Sequence, residues 1–129
     1  MAFLLHTLDT ADAPPLVELD AKSGTAYTIG LALTLTGGQA VAAAGTVKPS
    51  YICMTDKTAA EGDKVQAVRV LASQVYDATL STAGASLKPG AKVTLSADGT
   101  QVTATTEGGV AEIISMDGAA SGDVVRVRF

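Results

Sequence analysis

The stretch "KPGAKVTLSADGTQVTATTEGG", residues 88–109, places alternating apolar and Thr-rich positions on either side of Asp98-Gly99. An Asp-Gly pair flanked in this way is a strong short-range hairpin signal, because the turn's backbone twist matches that of the strands it joins. The stretch therefore reads as two antiparallel strands, and it sets the period to look for elsewhere as two. Downstream, Val110–Met116 and "GDVVRVRF" (122–129) continue the alternation. Upstream, Val75–Ser81 reads as a strand. "EGDKVQAVRVL" (61–71) places a Gly-Asp turn before Val65, Ala67 and Leu71, with an offset near Val68. Lys48–Met54 is entered through Pro49, Tyr27–Thr36 is turned by Gly37-Gly38 into Gln39–Ala43, and Leu16–Asp20 alternates apolar and acidic residues. No segment holds a sustained helical period, and at most a short turn of helix is expected within Ala78–Ala85. About nine or ten short strands at close spacing predict an all-β fold, a small barrel or sandwich.

The chain has 129 residues, one domain's worth, and 47% of them are hydrophobic against 17% charged, which excludes disorder throughout. Three Tyr, two Phe and no Trp leave little to stack on sugars or bases. The net charge of −4 is all found in residues 1–21, where Asp9, Asp12, Glu18 and Asp20 have no Lys or Arg among them. A neutral body with an acidic leader lacks the clustered cations that nucleic-acid binding requires. One cysteine forms no internal disulfide. "MAFLLHTLDT" has no basic n-region and too short an apolar run for a signal peptide. The apolar stretch 26–45 is broken by Gly37-Gly38-Gln39, so two strands and a turn are expected there in a soluble protein, not a membrane span.

Residues 8–15, "LDTADAPP", suit neither sheet nor helix, and residues 1–15 are expected to form an extended arm leading into a single β domain over 16–129. Chemistry is sparse. Cys53 in "KPSYICMTD" (48–56) has no base near it in sequence, since the one histidine, His6, lies in the arm, and Cys53 reads as a strand core residue. Asp56, Glu61 and Asp63 could suggest a calcium loop or a carboxylate site but lack the required spacing, and one His with one Cys cannot make a zinc tetrad. No cofactor, no metal and no catalytic residue are expected, so the chain does not read as an enzyme. The starts Gly62-Asp63, Gly90-Ala91 and Gly122-Asp123 recur before strands, as turns followed by strands do.

"GTVKPSYICM", "EGDKVQAVRVL" and the run from Gly90 to Phe129 together resemble the small capsid decoration (cement, or head-fibre) proteins of tailed phages, over about residues 45–129. The resemblance implies a non-enzymatic, β-tulip-like barrel on the outer surface of the virion's capsid, made in the host bacterial cytoplasm. Its partners would be the major capsid protein and itself, as a homotrimer, with no nucleic acid or membrane. In that setting Phe3, Leu4, Leu5, Leu8, Asp9 and Asp12 of the arm are the expected capsid contacts. Val125, Val127 and Phe129, in an alternating run at the end of the sequence, are the expected trimer contacts. The alternative is a β-rich head-fibre module that adheres to a host surface.

Overall fold

The computed structural model describes residues 3–8 and 16–129. Among them there is no helix, and twelve strands are present: β1 (Leu4–Leu8), β2 (Leu16–Ala21), β3 (Ala26–Tyr27), β4 (Ala32–Thr36), β5 (Gln39–Ala42), β6 (Tyr51–Cys53), β7 (Lys57–Thr58), β8 (Lys64–Arg69), β9 (Gln74–Thr79), β10 (Lys92–Val93), β11 (Ala111–Met116) and β12 (Val124–Arg128). Strands β2-β5-β4-β6-β8 close into a barrel in which only β2 and β5 run parallel. An open five-stranded sheet in the order β1-β9-β12-β11-β10 packs beside it, and β3-β7 forms a separate ribbon. The expected all-β architecture is present.

A five-stranded barrel is narrower than the eight-stranded kind whose interior side chains just fill. Its lumen accordingly takes Ala21, Ala40, Ala67 and Cys53 beside Leu19, Leu33 and Val65, with Tyr27 against this cluster. The Tyr27 hydroxyl donates to the Ala40 carbonyl and accepts from the Lys22 N–H, so its buried polar tip is satisfied. A second core lies between the barrel's outside and the open sheet. Ala32, Ala43 and Ile52 face Tyr76, Ala78, Ile113, Val125 and Val127 there. Because successive residues of a strand point to opposite faces, β6 sends Ile52 into one core and Cys53 into the other. A strand covered on both faces reads as continuous apolar sequence, which is why "YIC" carries no polar alternation.

Several expectations are corrected. Tyr27–Thr36 is not one strand: the chain turns at 28–31, where the Leu31 N–H donates to the Thr28 carbonyl, and this separates β3 from β4. The hairpin at 88–109 closes through Leu95↔Val102, but its turn is Ser96–Gly99, with the Gly99 N–H donating to the Ser96 carbonyl and Gly99 alone at positive φ. The turn thus centres on Ala97-Asp98, a type I turn closed by a left-handed glycine.

Residues 3–8 do not form a free arm. β1 pairs antiparallel with β9, and Phe3 is 1% exposed, its ring edge-on to Phe129 at 5.3 Å. Burying a phenylalanine outweighs leaving this end of the chain in solvent. The remainder of the expected arm, including Asp9 and Asp12, lies outside the described residues. The carboxy-terminal run is not an edge either. β12 sits between β9 and β11, and Val125 and Val127 are fully buried in the second core, so neither is available to another subunit. Phe129 is half-buried against Phe3 and Tyr76.

Candidate interaction surface

An apolar groove open to solvent lies where β1 meets the barrel. Its volume is about 260 Å³, and it runs between Leu4 and Leu5 on one side and Ile29 and Met54 on the other, over a floor that includes Ile52, Val68 and Tyr76. Its four rim residues are 45%, 43%, 43% and 42% exposed, in that order. Together they make the groove's rim apolar, a surface that would lose unfavourable contact with water on docking against a partner.

Each rim residue is held by local structure. Leu5 lies opposite Tyr76, and His6 is the extra residue of a bulge between Leu5 and Thr7. Bulges bend an edge strand and re-aim its side chains. The Phe3 N–H donates to the Gly30 carbonyl, tying the start of β1 to the 28–31 turn. Ile29 stands on that turn, where its N–H donates to Asp56 Oδ1 at 2.9 Å. Met54 follows β6, with its N–H bonded to the Gln66 carbonyl. On the other side of β1, His6 Nδ1 lies 3.1 Å from Asp77 Oδ1, and Arg126 Nε lies 3.3 Å from the same oxygen. Arg126 also pairs with Asp117, and that guanidinium holds the Asp117 carboxyl below the usual carboxylate range.

Of the residues expected to touch a partner, Leu4 and Leu5 stand on the rim of this groove, while Phe3 lines it from within the core. Leu8 lies in β1 opposite Gln74. Asp56 and Asp63 serve turns instead of gathering with Glu61 at one site. Asp56 fixes the Ile29 turn, and Asp63 Oδ2 accepts from the Ala60 N–H at 2.8 Å while Lys57 stands 3.5 Å away. The same device recurs at Asp123, whose Oδ2 accepts from the Ala120 N–H at 2.9 Å. The Gly-Asp recurrence in the sequence is therefore a shared turn chemistry. Cys53 is buried, its Sγ–H donating to the Thr55 carbonyl, and burial pushes the thiol pKa up. Among the described residues no group of three or more His, Cys, Asp and Glu could hold a metal ion. Ile29 and Met54 were not foreseen as surface residues, because each continues an apolar run that alternation assigns to a strand. The one sequence signal for Ile29 is the Gly30 that follows it and opens a turn.

Comparison of the sequence with protein-family models and with curated proteins finds no match.

Proposed function

We propose that this protein is a phage capsid decoration protein that binds the outer surface of the icosahedral head and stabilises it by bridging major capsid subunits. The observation that carries the reading is the groove between Leu4-Leu5 and Ile29-Met54, an apolar docking surface set on a β scaffold. The sequence resemblance over residues 45–129 supplies the partner. Many copies acting on one shell make a modest single contact sufficient, because each bound site raises the hold of the whole assembly.

The test is in vitro decoration of heads that lack the protein. Leu4→Asp and Met54→Asp place a charge on the groove rim at exposed positions, so the fold is preserved. Each variant is expected to lower head occupancy at least about tenfold, equivalent to about 1.4 kcal/mol. Occupancy equal to that of the unaltered protein in both variants contradicts the reading. Binding to host cells in place of heads supports the adhesion alternative.

A further inference from the structure

The end of β6 places two oxidisable sulfurs side by side and sends them to opposite faces. Cys53 points into the barrel and is fully buried, while Met54, the next residue, stands 42% exposed on the groove rim. The two differ in chemistry as well as in access. A thiol reacts with peroxides as the thiolate. Burial holds Cys53 protonated, and its Sγ–H donates to the Thr55 carbonyl. A thioether has no proton to lose, so its access to solvent governs its rate. Met116, the other methionine among the described residues, is half-buried, packs against the second core and lies opposite the buried Val125. Among the described residues, Met54 is therefore the sulfur most open to an oxidant.

We propose that Met54 is an oxidation switch of the groove, set by a peroxide and reset by a methionine sulfoxide reductase. The inference rests on the groove being the docking surface. In the forward step a sulfur lone pair attacks one peroxide oxygen. An S–O bond forms, the O–O bond breaks, and the other oxygen leaves as hydroxide and takes a proton to become water. Sulfur goes from sulfide to sulfoxide, and the peroxide is reduced. In the reverse step two thiols of the reductase supply two electrons and become a disulfide, and the oxygen leaves as water. The sulfoxide oxygen is a hydrogen-bond acceptor, and no side chain lining the groove is free to donate to it. Of the lining residues only Tyr76 carries a polar side chain, and its hydroxyl donates to Gln74 Oε1 at 2.7 Å. A partner seated on the rim would bury that acceptor unsatisfied, which costs affinity. A docked partner would also cover the sulfur, so the switch acts on free copies.

The test is hydrogen peroxide treatment of the free, full-length protein, followed by peptide mass analysis, hydrophobic-interaction chromatography and decoration of heads. Oxygen is expected at Met54 before Met116, with Cys53 unmodified. Oxidised protein should leave the apolar column earlier and decorate heads at least about fivefold less well. Treatment with the reductase should restore both readings. Met54→Leu has no sulfur at this position, so peroxide should move neither reading from that variant's own untreated value. Oxidation of Met116 or Cys53 as fast as Met54 would overturn the proposal. So would a treated protein that decorates as well as the untreated one, or is retained as long. Heads left bare by the untreated protein would contradict the docking reading itself, before any oxidant is added. The column then decides alone whether the rim switches, shorter retention supporting it and unchanged retention overturning it.

Discussion

Gln74 is a fully buried polar side chain, and all three of its polar contacts are made inside the protein. Its Oε1 accepts from the Leu71 N–H at 2.9 Å and from the Tyr76 hydroxyl at 2.7 Å, and its Nε2 donates to the Arg69 carbonyl at 2.9 Å. The side chain thereby closes the loop that carries the chain from the barrel to the open sheet. Gln74→Leu keeps the volume but strands those partners, and the expected loss is about 2–3 kcal/mol in urea unfolding. Tyr76→Phe removes only one of the bonds and should cost about 1 kcal/mol. Equal losses in the two variants would show that the loop does not depend on the glutamine. Cys53 has a simpler role as a small apolar residue in a narrow barrel. Cys53→Ser should cost about 1–3 kcal/mol for a poorly satisfied hydroxyl, and the native thiol should be labelled slowly at neutral pH. Labelling as fast as a free thiol would refute its burial. The character of Cys53 was legible from "YIC" and the missing base. Gln74 was not, because a polar residue at the start of a strand looks the same whether it faces solvent or a buried loop.

At the scale of the element, β1 and β12 both take places the sequence did not suggest: the expected arm supplies an edge strand, and the expected edge strand is central. β12 alternates, and alternation reports which face of a strand is buried without reporting its neighbours. Val125, Val127 and Phe129 read identically in a central and in an edge strand. Only the antiparallel registers Val125↔Ala78 and Met116↔Val125 show β12 flanked on both sides. In the same way "LLHTL" borders a Pro- and Asp-rich stretch and reads as part of an arm, while the residue that decides otherwise is Phe3, one position before the strand. Phe3→Ala is expected to cost about 3–4 kcal/mol through lost burial and the cavity left behind. Leu4→Ser, at an exposed position on the same strand, should change stability by no more than about 0.5 kcal/mol. A negligible effect of Phe3→Ala on thermal unfolding would restore the arm. The hairpin is anchored in turn by Gly99, whose carbonyl accepts from the Ala32 N–H and whose φ is +72°. A Cβ there would meet the Ala43 carbonyl oxygen at 2.8 Å, so Gly99→Ala combines strained backbone with a backbone clash. Its expected effect is a lowered melting temperature with retained β-type circular dichroism.

For the whole molecule, stability should form a plateau bounded by carboxylates on the acid side and by buried acids on the alkaline side. Asp63, Asp98 and Asp117 all titrate below the usual aspartate value in the folded state. The Ala60 N–H is the main cause for Asp63, the Ser96 hydroxyl followed by Thr100 for Asp98, and Arg126 for Asp117. The unfolded chain therefore takes up protons first, near the ordinary aspartate pKa of about 3.9. The stabilisation is complete above that value and is lost as pH falls through the lower folded pKa values. All three groups are largely exposed, so the effect is shared among turns and is weakened by salt. The alkaline limb has the opposite sign. Burial raises the pKa of both the Cys53 thiol and the Tyr76 phenol, so the unfolded chain releases those protons first. Stability should then decline above about pH 8.5 through the cysteine and above about pH 10 through the tyrosine. Melting temperature measured from pH 2 to 11 in low salt reads both limbs. Asn at positions 63, 98 and 117 together should flatten the acid limb while lowering the plateau, and Cys53→Ala should remove the earlier part of the alkaline decline. An acid limb with the same midpoint in the triple variant would place acid sensitivity in the remaining carboxylates. An alkaline limb unchanged by Cys53→Ala would show that the thiol titrates alike in folded and unfolded chains, against its burial in the barrel.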